Sequence, residues 1–320
     1  MDFSLSPEQE LLRETARSLL QTHCPPALVR ACIVDPSAAD PLWNHLREFT
    51  GLATGPVVDL CLFLEETGAA LAPGPFFATT ALFAPVVAGV GDDALLARVV
   101  SGEVTGTVAL EIPPTSPAIE GDRVDLVSVV DPQLSVRVVE RPRVRVLEPF
   151  DLSRRLAEVD GTPPDGTEYS ITPIALEGAL ARATVALAAE LIGSARWMLD
   201  DTLAYVKVRE QFDRPIGSFQ ALQHRLADMK LLYERAWSSV YYAAMAVDAD
   251  DAERERAVHV AKASAGDAAR HIAKEAIQMH GGIGFTWDHD LHLYVRRAYA
   301  SDRLLGSTDW HRDRLADLVL

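Results

Sequence analysis

The segment Arg209-Glu-Gln-Phe-Asp-Arg-Pro-Ile-Gly-Ser-Phe-Gln220 connects two long stretches in which apolar residues recur with the period of an α-helix. Pro215 and Gly217 predict a turn that ends the first helix, because proline lacks an amide donor and glycine favours turns. The second helix is expected to begin at Ser218, since serine is a preferred residue at helix starts. The sequence therefore predicts a helical hairpin, and helical patterns extend outward from it on both sides.

Three side chains that could bind a large ligand flank this predicted turn. Arg209 and Phe212 precede it, and Gln220 follows it. A guanidinium is a planar fork that can hold two phosphate oxygens, and an aromatic ring can lie flat on a heterocycle, so the set would suit a dinucleotide. An ordinary helical hairpin with a solvated arginine and a core phenylalanine is the alternative, because a single motif is only a hypothesis.

A second informative segment is Gln278-Met-His-Gly-Gly-Ile-Gly-Phe285, in which a helix is predicted to stop at His280. The three glycines after it would let the backbone approach a ligand without Cβ atoms in the way. They follow a helix and not a strand, so the segment is no Rossmann fingerprint. A simple glycine C-cap and turn is the alternative interpretation.

Acidic and histidine side chains follow this segment at Asp288, His289, Asp290 and His292. This spacing gives no firm third ligand, whereas zinc sites have three or four ligands in a defined geometry, so we expect no metal here. The sequence also lacks the serine-elbow, P-loop, Cys-x-x-Cys and His-Glu-x-x-His patterns. Hydrolase, NTPase, thiol-redox and zinc-peptidase functions therefore find no support.

The rest of the chain changes from helical to strand patterns and back. Ser6 and the proline after it form a helix start signal ahead of apolar residues at helical spacing up to Leu20. Short runs of β-branched residues begin near Thr105 and end near Pro173, which predicts a small β module with a loop at 163–166. The predicted helices cover residues 27–32, 41–49, 57–71, 176–211, 218–247, 251–279 and 290–304.

Composition narrows the classes of function. The chain has 320 residues, of which 48% are hydrophobic, and a formal net charge of -16. This acidic balance argues against nucleic acid and anionic membranes as partners, although one local arginine cluster is enough for a phosphate-bearing ligand. No apolar run is long enough for a membrane span, and the N-terminus is too polar and acidic for a signal peptide. The 3 cysteines have no metal-ligand spacing, which fits a reducing cytoplasm.

The two segments, in this order and at this spacing, together with a predicted N-terminal helix over 3–20, closely resemble the acyl-CoA dehydrogenase family. The resemblance is strong over residues 176–310, fair over 1–105 and weak between them. It implies a mainly α fold in three parts. These are an N-terminal helical domain over 1–104, a shortened middle β domain over 105–173 and a C-terminal four-helix-bundle domain over 174–320.

In that family a base takes the α proton of an acyl-CoA while FAD takes the β hydrogen as hydride, and the FAD lies across a subunit interface. The resemblance implies that Arg209 contacts the pyrophosphate and that Phe212 packs beside the cofactor. It assigns Gln278 and the glycines after it to the adenosine half. The implied cofactor-binding residues are Arg209, Gln211, Phe212, Gln220, Gln278, Met279, His280, Gly281 and Gly282.

The same resemblance implies that the catalytic base is missing. The family's usual glutamate stands shortly after the glycine-rich turn, and Leu305 occupies that position. The other known location of the base, on the first long C-terminal helix, matches Ala183 beside Thr184. Glu190 lies on nearly the same face of that helix but about 10 Å further along at 1.5 Å per residue, too far for direct hydrogen-bond reach.

The stretch 105–173 is shorter than the family's middle domain and lacks the Thr-Gly-x-Lys-x-x-Ile pattern and the tryptophan segment that cover the flavin ring. With the missing base, this resembles the subunit without a base in actinobacterial α2β2 acyl-CoA dehydrogenases that act on CoA thioesters of steroid side chains. The leading hypothesis is therefore a subunit that lends FAD-binding residues to a homologous catalytic partner. The expected substrate is an acyl-CoA, and the expected electron acceptor is an electron-transfer flavoprotein.

Two alternatives stay open at this point. The first is a self-sufficient, homo-oligomeric acyl-CoA dehydrogenase with a displaced base such as Glu190. The second is a scaffold subunit without FAD, which would have no physical need to keep Arg209 and Gln278.

Overall fold

The computed structural model describes residues 4–160 and 165–320. Most of these residues are helical, and the predicted order of a helical part, a β part and a second helical part is confirmed. The predictions for Phe3, Pro163 and Pro164 lie outside the described residues. The first part contains α1 (Pro7–His23), α2 (Pro26–Val34), α3 (Asp40–Leu46), α4 (Val57–Ala69), α5 (Ala84–Val90) and α6 (Asp93–Val100), with 3-10 turns at Pro36–Ala39 and Arg47–Ala53 and a π-helical turn at Ala78–Phe83.

Helix α1 begins where the sequence predicts. The Ser6 hydroxyl accepts a hydrogen bond from the Gln9 amide at 3.2 Å, and the Gln9 side chain accepts one from the Ser6 amide at 3.1 Å. This reciprocal capping box satisfies amides that the first helical turn leaves without partners. The helix buries Ala16 and Leu20 in the core that it shares with α4.

The β part forms two small sheets within the stretch where strands were predicted. One sheet has the order β1-β3-β4-β7, in which β1 and β3 are parallel and the other neighbours are antiparallel. The other sheet is antiparallel with the order β2-β6-β5. The strands are β1 (Gly106–Leu110), β2 (Ala118–Ile119), β3 (Leu126–Val130), β4 (Ser135–Glu140), β5 (Val144–Val146), β6 (Leu156–Val159) and β7 (Thr167–Ser170).

The third part is built from long helices. The elements are α7 (Pro173–Val208), β8 (Glu210–Gln211), β9 (Arg214–Pro215), a 3-10 turn at Ile216–Ser218, α8 (Gln220–Asp248), α9 (Arg254–His280), a 3-10 turn at Gly281–Phe285, α10 (Leu291–Arg303) and α11 (Thr308–Val319). The sequence predicted α7 to α10 within a few residues but did not predict α11. Among the described residues, no helix is both long enough and apolar enough to cross a membrane.

Helices α4 and α7 touch through their backbones, and two glycines permit this. A Cβ atom at Gly68 would lie 2.0 Å from the Glu190 carbonyl oxygen, and one at Gly193 would lie 1.9 Å from the Glu65 carbonyl oxygen. Real side chains cannot occupy such positions, so only glycine allows the two helices to come this close. The contact fixes the part of α7 that carries Glu190 deep inside the molecule.

Candidate functional site

The connection between α7 and α8 is a short β-hairpin and differs from the predicted turn. Phe212 and Asp213 form its tip with φ angles of 55° and 61°. Two successive positive φ angles define a type I′ turn, whose twist matches that of paired strands. The turn predicted at Pro215 and Gly217 is only part of this connection, because the hairpin comes first and a 3-10 turn over Ile216–Ser218 follows it. Pro215 lies in β9, and Gly217 permits close packing, since a Cβ there would lie 3.0 Å from the Val206 carbonyl oxygen.

The hairpin leaves its predicted ligand-binding side chains exposed. Arg209 ends α7, and its guanidinium makes no ion pair within residues 4–160 and 165–320. The Phe212 ring is 86% exposed, and the Gln211 side chain donates only to the preceding carbonyl oxygen, at 2.8 Å. Helix α8 begins at Gln220, not at Ser218 as predicted, and no side chain caps it. Its first amides and positive dipole end therefore stay available to an anion.

The glycine-rich turn follows α9, which ends at His280 as predicted. Gln278 is exposed on the last turn of the helix, whereas the side chains of Met279 and His280 are buried in this chain. Gly281 has a φ angle of 65°, a conformation that favours glycine. A Cβ atom at Gly281 or Gly282 would have no heavy atom within 4 Å. The backbone here is thus open to a ligand.

The two predicted motifs lie side by side. The rings of Tyr205 and His280 stack with centroids 4.3 Å apart, and the Tyr205 hydroxyl donates to the His280 carbonyl oxygen at 3.5 Å. Arg209 lies one helical turn beyond Tyr205, and Gly281 follows His280 directly. The structure therefore brings Arg209 close to the glycine turn, although about 70 positions separate them in the sequence. The distance along α7 from Tyr205 to Arg209 is about one turn because an α-helix has 3.6 residues per turn.

His289, one of the four acidic and histidine residues that follow the glycine-rich segment, lies in a cluster with Asp201 and His280. The Asp201 Oδ2 atom lies 3.2 Å from His280 Nε2 and 3.7 Å from His289 Nε2. Asp290, in contrast, pairs with Arg30 at 2.6 Å. The side chains that do come together in the described part of the chain are Asp201, His280 and His289, with ligand atoms within 4.8 Å of one another, and Asp201 was missed because it lies on α7, far away in sequence.

The position matched to the family's glutamate is a buried apolar turn. Leu305 is 2% exposed with a φ angle of 54°, and Gly306 follows with a φ angle of 95°. Lys262 Nζ donates to the carbonyl oxygens of Asp302 and Gly306, both at 2.9 Å, and His311 Nε2 lies 3.0 Å from the Leu305 carbonyl oxygen. Burial lowers the pKa of Lys262 to about 8 and that of His311 to about 3. Leu305 itself offers no proton acceptor, and the nearby Asp302 carboxylate is 1% exposed and accepts a hydrogen bond from the Thr308 hydroxyl at 2.6 Å.

The second position matched to a base is also apolar. Ala183 is 1% exposed and Thr184 is 6% exposed, both on α7. Glu190, two helical turns further on, is 2% exposed. Its carboxylate contacts Arg154 through Oε2 and lies 3.4 Å from Arg297 Nη1 through Oε1. Glu190 is therefore part of a buried ion cluster.

This cluster has a second carboxylate and several hydroxyl partners. Arg297 contacts Asp151 through Nε and donates from Nη2 to the Ser153 hydroxyl at 2.9 Å. Arg154 donates from Nη1 to the Ser301 hydroxyl at 3.1 Å. Two guanidinium groups and two carboxylates thus balance in charge, and most of their hydrogen-bonding atoms are satisfied. Such satisfaction is what makes buried charges tolerable.

The space beside the cluster is very small. The cavity lined by Glu190, Arg154, Arg297 and Glu120 has a volume of about 10 Å³. A single water molecule needs about 10–15 Å³. Burial raises the pKa of the Glu120 carboxyl, which accepts a hydrogen bond from the Arg155 amide at 3.2 Å. No acyl chain fits at this point of the structure.

Sequence reasoning named Glu190 but missed Asp151, Arg154 and Arg297. One signal could have found Arg297, because it stands three residues after the buried Tyr294 on the apolar face of α10. A charged residue at a core position of a helix needs a buried partner. Nothing in the spacing indicates the other two, which reach the cluster from the connection between β5 and β6.

The architecture of a helical part, a β part and a second helical part is that of an acyl-CoA dehydrogenase type of fold. A glycine turn lies beside the hairpin that carries Arg209, and comparison with known proteins gives the same class. Residues 173–320 match the family model described as acyl-CoA dehydrogenase, C-terminal domain. The acyl-CoA dehydrogenase IpdE2 of Mycolicibacterium smegmatis is 36% identical, over 94% of this chain and 96% of that protein. The chain therefore belongs to the acyl-CoA dehydrogenase family, whose members are FAD-dependent oxidoreductases.

Two solved structures extend the similarity over nearly the whole chain. A variant of the Tcur3481-Tcur3483 steroid ACAD aligns with a TM-score of 0.86 and 26% identity, covering 98% of this chain and 97% of that chain. The ChsE4-ChsE5 complex from Mycobacterium tuberculosis aligns with a TM-score of 0.87 and 23% identity, covering 99% and 98%. At 23% identity, the similarity to the ChsE4-ChsE5 complex is evidence for the fold alone.

Proposed function

We propose that this chain is the subunit without a catalytic base in a heteromeric, FAD-dependent acyl-CoA dehydrogenase. A homologous catalytic subunit supplies the base and the rest of the FAD site. The division into domains at 1–104, 105–173 and 174–320, with a shortened middle domain, belongs to the same proposal. The residues of this chain that form or support its part of the shared FAD site are Arg209, Gln211, Phe212, Gln220, Gln278, Met279, His280, Gly281 and Gly282.

The surroundings of Glu190 carry this proposal. A general base must come within about 3 Å of the proton that it removes. Glu190 is 2% exposed, contacts the guanidinium groups of Arg154 and Arg297, and adjoins a cavity of about 10 Å³. The α-carbon of an acyl-CoA has no room beside this carboxylate. Leu305 and Ala183, at the two positions matched to a base, offer no alternative acceptor.

Three independent features of the exposed face fit a dinucleotide. Arg209 carries an exposed guanidinium without an ion pair in the described part of the chain. Helix α8 begins nearby without a side-chain cap, and free amides at a helix start favour phosphate. Gly281 and Gly282 keep open the space that Cβ atoms would fill. These groups favour a subunit that contacts FAD bound by its partner over a scaffold without FAD.

When bound, FAD would accept the hydride. In the proposal Arg209 holds the pyrophosphate through its planar fork, which matches two phosphate oxygens at once. Gln278 and the backbone at Gly281 and Gly282 approach the adenosine half, and Phe212 covers an apolar part of the cofactor. Met279 and His280 are buried in this chain, so they support the turn from behind.

The proposed partner is a homologous acyl-CoA dehydrogenase chain, in an α2β2 assembly. Each of the two similar solved structures carries two protein names, and one of them is called a steroid ACAD. This supports the CoA thioester of a steroid side chain as the substrate. An electron-transfer flavoprotein as electron acceptor rests on the family resemblance.

The deciding experiment compares the chain expressed alone with the chain expressed together with the acyl-CoA dehydrogenase encoded beside it. Mass and flavin absorbance are measured for each purified sample. The proposal expects a colourless or insoluble lone chain and a yellow heteromer with fewer FAD molecules than chains. A yellow homo-oligomer with one FAD per chain and full turnover would contradict it and favour the self-sufficient enzyme. In that case unaltered turnover of Glu190→Gln would exclude Glu190 as the displaced base.

A substitution in the co-purified heteromer tests the scaffold alternative. Arg209→Ala should weaken FAD binding at least about tenfold, because a charged hydrogen-bonding group contributes about 1.5–3 kcal/mol. Arg314→Ala is the matched control, since Arg314 is an exposed arginine on α11 that pairs with Asp317 at 3.1 Å. Equal flavin content in both variants and in the wild type would support a scaffold without FAD.

A further inference from the structure

The loop after α9 is attached at both ends to the same carboxylate. This glycine loop, residues 281–288, contains the glycine turn and the exposed rings of Phe285 and Trp287. His280 precedes the loop and His289 follows it, and both imidazole rings approach Asp201 on α7, at 3.2 Å and 3.7 Å. One side chain of α7 therefore lies at both ends of the loop.

The hydrogen bonds of His280 require a positive charge beside Asp201. His280 Nδ1 lies 2.8 Å from the Ala276 carbonyl oxygen, so this nitrogen must carry a proton. His280 Nε2 and Asp201 Oδ2 lie 3.2 Å apart, both atoms are buried, and neither makes a hydrogen bond among the described residues. A bare nitrogen lone pair would repel the carboxylate at this distance. A cation between them, either a proton on Nε2 or a metal ion, removes the repulsion.

The contacts of His289 favour the proton. The Leu291 amide donates to His289 Nδ1 at 3.1 Å, so Nδ1 is an acceptor and Nε2 carries the hydrogen. This nitrogen lies 3.7 Å from the Asp201 carboxylate, an electrostatic contact longer than a hydrogen bond. A metal ion on His289 Nε2 would need this nitrogen bare, with the ring's hydrogen moved to Nδ1 against the Leu291 amide. With protons on both Nε2 atoms, both rings lie within 4 Å of the Asp201 carboxylate without repelling it, and no metal is needed.

The surrounding packing holds this arrangement in place. The His280 side chain is 0% exposed and stacks on Tyr205, and the rings of His280 and His289 meet edge to face at 4.9 Å. A Cβ atom at Gly284 would lie 3.2 Å from His280 Cβ, so the glycine loop packs down onto the histidine. The loop is thus built over the cluster of Asp201 and the two histidines.

We propose that Asp201 is a positioning residue for the cofactor, because it fixes both ends of the glycine loop through His280 and His289. The ion pair with His280 holds the end of α9, and the contact with His289 holds the start of α10. Gly281 and Gly282 are then presented in one conformation. The identity of the ligand rests on the proposed function, whereas the anchoring of the loop does not.

The test measures amide hydrogen exchange across residues 281–288 in the full chain. Asp201→Ala should speed exchange there at least about tenfold, because both anchoring contacts are lost while the rest of the fold remains. Asp201→Asn keeps the shape, and its amide can donate to His280 Nε2 but cannot also accept from His289 at the same atom, so it should restore part of the protection. Asp200→Asn is the matched control, since Asp200 is the exposed neighbour on α7. Wild-type exchange in Asp201→Ala would overturn the proposal.

Two further readouts separate positioning from simple packing. In protein labelled with ¹⁵N-histidine, the His280 ring should carry protons on both nitrogens in the wild type and on Nδ1 alone in Asp201→Asn. A wild-type ring with one proton overturns the ion pair. In the co-purified heteromer, Asp201→Ala should lower flavin content, and a loosened loop with full flavin content overturns the positioning role. A wild-type heteromer without flavin instead refutes the proposed function, which the exchange measurement does not use.

Discussion

The buried ion cluster makes a prediction that can be measured without any cofactor. Glu190→Gln keeps the shape of the side chain and removes its charge. The guanidinium groups of Arg154 and Arg297, with side chains 6% and 1% exposed, would then keep Asp151 as the carboxylate in direct contact, with Glu120 as the other acid that lines the same cavity. Arg154 would lose the carboxylate that contacts it while it stays buried. The substitution should therefore destabilise the fold, whatever its effect on activity.

The size of the effect follows from burial. Removing one member of a buried ion pair costs about 3–5 kcal/mol of unfolding free energy, because the remaining charge is desolvated without compensation. An exposed pair gives the matched control: Arg145 and Glu158 are in contact with side chains 64% and 51% exposed. Glu158→Gln should cost less than about 1 kcal/mol. The two carboxamide variants should thus differ by at least about 2 kcal/mol, by the same two estimates.

Denaturant unfolding of the full chain measures both variants, and a double variant tests the reason. Adding Arg154→Met to Glu190→Gln leaves Arg297 and Asp151 as a balanced pair. The double variant should recover about 1–3 kcal/mol relative to the sum of the single variants, as coupled neighbours do. A Glu190→Gln variant within about 0.5 kcal/mol of wild type would refute the reasoning, because such small effects are typical of surface sites. Glu190 would then be a solvated carboxylate and again a candidate base.

Other predictions test the packing and the turn at the empty base position. Gly193→Ala should cost at least about 1–3 kcal/mol, since its Cβ would lie 1.9 Å from the Glu65 carbonyl oxygen, whereas Gly178→Ala, on the same helix with nothing within 4 Å, should stabilise by about 0.5–1 kcal/mol in thermal unfolding. Because burial lowers the pKa of Lys262 to about 8, below its unfolded value of about 10.4, its burial cost is full below pH 8 and disappears as pH rises towards 10.4. Between pH 7.5 and 10 the wild type should therefore gain about 2 kcal/mol relative to Lys262→Met in denaturant unfolding. Leu305→Glu should leave the lone chain without dehydrogenase turnover in a dye-reduction assay, since position 305 is 2% exposed and the proposed FAD site is completed by the partner, and measurable turnover would contradict the shared site.

Local rules predicted those parts of the fold that depend on neighbouring residues. The start of α1 follows from Ser6 and its capping partner, and the β part follows from the change in periodicity. The tip of the hairpin was missed because its two positive φ angles belong to Phe212 and Asp213. Glycine and asparagine normally signal such a turn, so the prediction placed the turn at Pro215 and Gly217, which follow the tip of the hairpin.

The candidate site divides in the same way. Arg209, Gln278 and the glycines carry recognisable local patterns, and the structure brings these patterns together. The partners of Glu190 carry none, because Arg154 comes from the β part and Arg297 from α10. Long-range ion pairs are set by the tertiary fold, and one sequence without its packing does not reveal them. Asp201 escaped notice for the same reason.

The buried region around Glu190 and the exposed region around Arg209 have opposite requirements for charge compensation. This difference bears on the three functional hypotheses. Charges inside a closed protein must be compensated within the chain, as Glu190 is by Arg154 and Arg297. Groups that complete a neighbour's site must stay uncompensated until that neighbour binds, as the guanidinium of Arg209 does. A self-sufficient enzyme needs open space beside its base, and a scaffold gains nothing from an unpaired arginine beside an uncapped helix. The compensated Glu190 and the Arg209 guanidinium, which has no ion pair in the described part of the chain, are the two observations on which the proposed lending of cofactor contacts depends.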